Sequence, residues 1–146
     1  MAKALVVASI VWPLALAGGW WARAHGGPVW AAVATYVVAG HVCHQRPERS
    51  FHTDGVQWPV CGRCAGLYAA APFGALAALL IRRRRTVPSV AWLAAAAIPT
   101  AITFVLEHGG LTAMSSIARF LAALSLGAAV AFFIVAVTQP PAADGR

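Results

Sequence analysis

The sequence predicts an all-α fold, a polytopic membrane helix bundle with about five transmembrane helices. The chain of 146 residues is 60% hydrophobic and 10% charged, with a mean hydropathy of +0.73, far from the balance of a soluble domain. Its apolar residues also fall in long uncharged runs, most of them near the roughly 17–25 residues that a helix needs to cross a bilayer. The length suits a single integral membrane domain.

Five apolar segments mark the expected spans, at approximately residues 4–21, 28–44, 61–81, 87–106 and 116–137. A Cys/His-rich loop at 43–64 joins the second and third segments. The first segment also resembles a secretory signal, because Ala22-Arg23-Ala24 has the spacing of a cleavage site. Cleavage would place the strongest basic run outside the cell, against the positive-inside rule. We therefore expect the first segment to be a retained span.

Basic residues between the segments set the expected orientation. The decisive run consists of Arg82, Arg83, Arg84 and Arg85. The positive-inside rule places this run in the cytoplasm, and five spans then place both the N-terminus and the 43–64 loop outside. The net charge of +7 comes from residues in the gaps between apolar runs, so it does not indicate a nucleic-acid partner. The expected partner is the lipid bilayer.

Polar chemistry is concentrated in residues 41–64, which hold all three cysteines and three of the five histidines. Cys43 ends the second segment and Cys61 begins the third, so two consecutive antiparallel spans would return both to one membrane face. Cys61 and Cys64 are spaced i, i+3 and share one side of a helix. This pattern predicts a tetrahedral zinc site. Its expected ligands are Cys43, His44, Cys61 and Cys64, with His52 as the alternate fourth ligand.

Charged residues are expected to support this site. Arg63 lies between two of the cysteines, and Arg46 and Arg49 are near in sequence. Together with the positive end of the third helix, these cations would favour thiolate over thiol. Glu107 ends the fourth segment and Arg119 lies near the start of the fifth. Because ionisable residues at spans are usually paired or functional, we expect an ion pair between them, of structural or functional use.

Three interpretations of the cysteines remain open. A closed set of four ligands would make the metal structural, and thiolates also suit a soft ion such as copper. Alternatively, Cys61 and Cys64 form the redox pair of a quinone-linked thiol–disulfide oxidoreductase, with Cys43 as a third exchanging thiol. Such enzymes usually need a second cysteine pair, which this chain lacks. In the third interpretation a structural disulfide holds a scaffold or accessory subunit. Ligand type and spacing favour the metal.

Two runs in this stretch, CHQxPxRSF at residues 43–51 and PVCxRCxGxY at 59–68, resemble a family signature. It is the signature of small prokaryotic multi-pass membrane proteins classed as a domain of unknown function. The resemblance is dense over residues 43–68 and looser elsewhere, where it covers the layout of spans with Arg119 and Gly127. It implies a location in the prokaryotic inner membrane and the Cys/His cluster as the defining feature, and it implies no particular activity.

Overall fold

The computed structural model describes residues 1–81 and 89–139. In order, its elements are α1 (Ala2–Ala24), α2 (Val29–Val42), a 3₁₀ turn (Pro47–Arg49), β1 (Ser50–Thr53), β2 (Val56–Cys61), α3 (Gly62–Leu80), α4 (Val90–His108) and α5 (Ser116–Val137). The five helices correspond to the five predicted apolar segments, which confirms the predicted helical membrane fold. The arginine run at 82–85 lies outside the described residues.

Four of the helices are long and apolar enough to cross a membrane. These are α1, α3, α4 and α5, whose 18-residue windows have mean hydropathies of 1.4 to 2.6. In contrast, α2 has only 14 residues, which is about 21 Å at 1.5 Å per residue. The hydrocarbon core of a bilayer is about 30 Å thick, so α2 is too short to cross it as a straight helix.

Glycines bring the backbones of α3 and α5 into direct contact. A Cβ at Gly66 would overlap the carbonyl oxygen of Phe120, and a Cβ at Gly74 would overlap that of Ala128. Gly127 makes the reciprocal approach from α5. From Gly66–Phe120 to Gly74–Ala128 the contacts advance equally along both helices, so α3 and α5 are parallel. Such small-residue interfaces stabilise helix pairs in lipid, where packing rather than hydrophobic burial drives association.

The first half of α1 packs against α3 in the antiparallel sense. Val6 lies in an apolar cluster with Ala75 and Ala78, and Trp12 makes an edge-on contact with Tyr68, with 5.9 Å between ring centroids. The start of α1 therefore lies beside the end of α3. Since the Cys loop precedes α3, it lies at the opposite end of that helix. The start of α1 and the Cys loop therefore lie at opposite ends of α3, whereas the sequence analysis expected the N-terminus and this loop on one side of the membrane.

The reason is the course of α2, which folds back along the second half of α1. Gly19 faces Thr35, and Leu16 shares an apolar cluster with Ala39. Because α1 is antiparallel to both α2 and α3, those two helices run in the same direction. α2 packs along the second half of α1, and α3 packs along the first half. The expected antiparallel pairing of the second and third segments is therefore wrong.

A β-hairpin connects α2 to α3. Its turn is formed by Asp54 and Gly55, whose φ angles of 53° and 73° both lie in the left-handed region that a type I′ turn requires. Thr53 pairs with Val56 next to the turn, and His52 pairs with Gln57 one position further along the strands. The sequence analysis did not predict this hairpin, although Asp-Gly between short alternating runs is a strong hairpin signal.

This hairpin is anchored on the first two helices. The Tyr36 hydroxyl of α2 donates a hydrogen bond to the carbonyl of Gln57. On α1, Trp20 stacks on Trp58 of β2, with 5.2 Å between ring centroids and planes 15° apart. These contacts hold β2 against the α1–α2 pair and carry Cys61, its last residue, to the end of α2.

The peripheral helix is α4, which has no buried residue. Its described contacts with α5 include two hydrogen bonds between side chains and backbone. Thr100 Oγ1 donates to the carbonyl of Ala122 at 2.8 Å, and Ser125 Oγ donates to the carbonyl of Ala96 at 2.8 Å. Hydrogen bonds of this kind commonly join helices in membranes, and the exposed outer face of α4 suits contact with lipid.

Candidate metal centre

Three cysteine thiols converge where α2 ends and α3 begins. The Sγ atoms of Cys43, Cys61 and Cys64 all lie within 4.8 Å of one another. Cys43 is the C-cap residue of α2 and Cys61 is the N-cap residue of α3, with Cys64 in the first turn. All three are free thiols. Their convergence agrees with the sequence prediction, although α2 reaches the site from a direction that the sequence analysis did not expect.

The thiols lie in largely apolar surroundings. Cys43 is only 5% exposed. The apolar cluster around the thiols consists of Leu16, Ala39 and Val60, with Trp12, Ala65 and Tyr68 packed against it. A hydrophobic shell limits the access of water to a site and strengthens electrostatic interactions inside it.

Local hydrogen bonds favour the thiolate form of Cys43. The backbone N–H of Cys61 donates to Cys43 Sγ at 3.2 Å. Hydrogen bonds from the thiols of Cys61 and Cys64 hold the pKa of Cys43 well below its usual range and outweigh the opposing effect of burial. Cys61 lies at the positive end of α3, which also favours negative charge. Thiolate is the form in which cysteine binds metal.

Gln45 fixes the turn that follows Cys43, a role that the sequence analysis did not assign. Its φ of 47° is uncommon for a residue other than glycine. Its side-chain amide donates to the carbonyls of Tyr36 and Pro59, both at 2.8 Å, and Gln57 Nε2 donates to the Gln45 carbonyl at 2.6 Å. These bonds tie the end of α2 to β2. The only indication of this role in the sequence was that Gln45 lies in the family run CHQxPxRSF at residues 43–51.

The two histidines proposed as ligands lie outside the thiol group. His44 directly follows Cys43 in the chain, and His52 lies in β1; both side chains are exposed. In residues 1–81 and 89–139, the group whose ligand atoms approach one another contains three thiols and no histidine. The structure thus brings together three of the four expected ligands.

Arg63 points away from the thiols that flank it. Its Nη2 atom lies 3.3 Å from Glu107 Oε2, and its guanidinium lies over the Phe104 ring, 5.5 Å from the centroid. Successive residues of a helix point in different directions. The cysteines that flank Arg63 in sequence therefore face a different element from the one that Arg63 contacts. Arg49 also contacts Glu107, and Arg46 lies 4.0 Å from Glu48. The arginines therefore form ion pairs with carboxylates.

The expected ion pair between Glu107 and Arg119 is present. Arg119 Nε donates to Glu107 Oε2 at 3.2 Å and Nη2 donates to Oε1 at 3.1 Å. This is the two-point arrangement in which guanidinium binds carboxylate most strongly. The pair joins the last turn of α4 to the first turn of α5.

Helices of membrane-spanning length and a partly buried thiol cluster at a helix junction define an integral membrane protein with a candidate metal centre. Residues 43–133 match the family described as "Predicted membrane protein (DUF2085)", and the chain belongs to that family. The matched region starts at Cys43. It contains all three cysteines, together with Arg49, Arg63, Glu107 and Arg119.

The chain is also similar to two archaeal proteins, each described as an uncharacterized protein. The relative from Methanocaldococcus jannaschii is 30% identical over 108 residues, which cover 73% of this chain and 69% of the relative. The relative from Methanothermobacter thermautotrophicus is 34% identical over 91 residues, which cover 62% of this chain and 82% of the relative. No solved structure matches the chain.

Proposed function

We propose that the protein is an integral membrane protein in which Cys43, Cys61 and Cys64 bind one soft transition-metal ion, with zinc as the expected ion. The observation that carries the proposal is the mutual approach of the three Sγ atoms within 4.8 Å. Tetrahedral zinc with Zn–S bonds of about 2.3 Å separates its sulfur ligands by about 3.8 Å. A modest closure of the present cluster would reach that geometry.

The distribution of charge supports the same proposal. The nearest arginine in sequence, Arg63, is engaged with Glu107, so its guanidinium is directed away from the thiols. Thiolates buried in apolar surroundings are unfavourable without a compensating positive charge. A metal cation would supply that charge. Thiolate ligands select soft or borderline ions such as zinc and Cu(I) over magnesium or calcium.

The role of the ion depends on its fourth ligand. We propose His44, because it directly follows Cys43 and its exposed side chain is accessible; His52 is the alternate ligand. A closed Cys3His site has no open position for a substrate. The ion would then be structural and would lock the end of α2 to the start of α3.

Metal analysis of the full chain, purified in detergent without chelator, tests this proposal. We expect about one zinc ion per chain, because a structural site holds a single tetrahedral ion, and we expect its loss in Cys64→Ser. His44→Ala should weaken zinc affinity by at least about tenfold, because one of four ligands is removed. The matched control is His41→Ala, since His41 is another exposed histidine of the same region and its zinc affinity should equal that of the wild type.

Other outcomes of that measurement would contradict the metal proposal. A metal-free protein in which Cys61 and Cys64 cycle between dithiol and disulfide in the presence of quinone would instead be an oxidoreductase. A metal-free protein with a disulfide that reacts with neither quinones nor thiol partners would be a scaffold or accessory subunit.

We further propose that the thiol cluster lies on the extracytoplasmic side of the cell membrane. Cys61 begins α3, and the arginines at 82–85 follow its opposite end in sequence, where the positive-inside rule favours the cytoplasm. After removal of metal by a permeant chelator, a membrane-impermeant thiol reagent should label Cys61 in intact cells. Labelling that occurs only in inverted vesicles would place the cluster in the cytoplasm.

A further inference from the structure

A second polar cluster lies at the same end of α3 as the thiols. Arg49 in the 3₁₀ turn, Arg63 in α3 and Arg119 in α5 all contact Glu107 at the end of α4, at 3.0, 3.3 and 3.1 Å. The side chains of Glu107 and Arg119 are 9% and 6% exposed. We call these four residues the arginine cluster. It joins four elements in one largely buried group.

The arginine cluster carries uncompensated positive charge. Three guanidinium groups face one carboxylate, which leaves an excess of two positive charges. Among the described residues, the other carboxylate nearby, that of Glu48, lies 4.0 Å from Arg46, and both side chains are more than half exposed. Burying like charges without a partner is unfavourable. The cluster is therefore suited to accept an anion.

Glu107 cannot satisfy all the hydrogen-bond donors of the three guanidinium groups. Its Oε1 accepts a hydrogen bond from Arg119 and lies 3.0 Å from Arg49 Nη2, and its Oε2 accepts from Arg63 and Arg119. A carboxylate offers about four acceptor sites, whereas each guanidinium offers about five N–H donors. The Nε of Arg63 is buried and has no hydrogen-bond partner in the described residues. Arg119 Nη1 also donates to the carbonyl of Glu48 at 3.4 Å, and several other donors of the cluster remain available to a second acceptor.

Two helix N-termini add to the positive potential at this place. α3 and α5 begin side by side, because Gly62 lies directly against the carbonyl of Ser116. The N-terminus of an α-helix carries about half a positive charge, and its free N–H groups commonly bind anions. Arg63 and Arg119 project from the first turns of these two helices. The helix dipoles and the arginine side chains therefore both favour a negatively charged ligand.

We propose that the arginine cluster binds a phosphate group. A phosphate monoester or diester carries one or two negative charges, which would offset the excess of two, and guanidinium matches its oxygens with paired hydrogen bonds. Access is provided by Arg49, whose side chain is 29% exposed. Helix ends lie near the headgroup level of a bilayer, so a phospholipid headgroup and free phosphate are the two possible sources. The proposal does not depend on the metal.

The test compares Arg49→Gln with Arg46→Gln in the full chain purified in neutral detergent. Both variants remove one arginine from the same loop, but Arg46 lies outside the cluster. Binding of inorganic phosphate and of phosphatidylglycerol is measured separately, by calorimetry and native mass spectrometry. We expect Arg49→Gln to weaken binding by about tenfold or more, because a charge-assisted contact is lost, and Arg46→Gln to leave it within about twofold, as for a surface charge.

The two ligands distinguish the sources. Binding of phosphatidylglycerol alone identifies a lipid site, and binding of inorganic phosphate identifies a site for free phosphate. Absence of binding by both, or equal losses in the two variants, overturns the proposal. Metal content is measured in the same samples, so failure of the phosphate site is distinguishable from failure of the metal site.

Glu107→Gln should change the affinity for phosphate in the direction opposite to Arg49→Gln. It raises the excess positive charge from two to three and releases hydrogen-bond donors, so phosphate binding should become several-fold tighter although the protein becomes less stable. A purely structural ion cluster would show the loss of stability without any gain in phosphate affinity. That result would contradict the proposal even if Arg49→Gln were uninformative.

Discussion

Glu107→Gln is expected to destabilise the protein by about 3 kcal/mol, because removing one partner of a buried ion pair leaves uncompensated charge. Glu107 contacts three guanidinium groups and its side chain is 9% exposed. The variant would leave three positive charges in one cluster. The midpoint of thermal unfolding in detergent, with phosphate absent, measures the effect.

The matched control is Glu48→Gln. The side chain of Glu48 is 63% exposed and lies 4.0 Å from that of Arg46, so its loss should change stability by less than about 0.5 kcal/mol. Equal midpoints for the two variants would show that the arginine cluster does not stabilise the fold.

The loss of Glu107 should also loosen α4. This helix has no buried residue, and Glu107 fastens its last turn to α3, α5 and the 3₁₀ turn. Limited proteolysis should therefore cut Glu107→Gln within residues 109–115 at conditions that leave Glu48→Gln intact. Local stability is lowest where few buried contacts hold an element.

Gly74→Ala is the second substitution with a large expected effect. A Cβ at Gly74 would overlap the carbonyl oxygen of Ala128, and neither backbone can move without separating α3 from α5. We expect a loss of about 3 kcal/mol, as for severe overpacking. Thermal unfolding in detergent again provides the measurement.

Gly18→Ala is the control for that substitution. Gly18 lies in α1, and nothing would come within 4 Å of its Cβ. Alanine is favoured over glycine in a helix by about 0.5–1 kcal/mol, so this variant should be as stable as the wild type or slightly more stable. A similar loss in both variants would mean that the backbone contact between α3 and α5 is unimportant.

Helix positions could be predicted from the sequence because hydrophobic length is a local property of the chain. The fifth segment was expected at 116–137 and α5 is Ser116–Val137; the other helices differ by a few residues. The convergence of the three cysteines could also be predicted, because it depends on residues that are close in sequence. Cys61 and Cys64 lie on one helical turn, and Cys43 is separated from them by a single loop.

The course of α2 could not be predicted in the same way. Its composition suggested a span, but its packing against α1 depends on close contacts between residues distant in sequence, such as Gly19 with Thr35 and Leu16 with Ala39. The hairpin is a different case. Asp54-Gly55 is a local signal for a hairpin, so β1 and β2 could have been predicted from the sequence.

The sequence by itself determined that this is a helical membrane protein with three cysteines at one helix junction, because apolar length and i, i+3 spacing act within single elements. The sequence also predicted the pair of Glu107 with Arg119, but only the tertiary structure decided that Arg49 and Arg63 join it. Arg49, Arg63 and Arg119 come from three separate elements, and their side chains meet at Glu107 because α3, α4 and α5 pack together. Proximity in sequence placed Arg63 beside the thiols, whereas helix geometry directed its charge to a carboxylate 44 residues away.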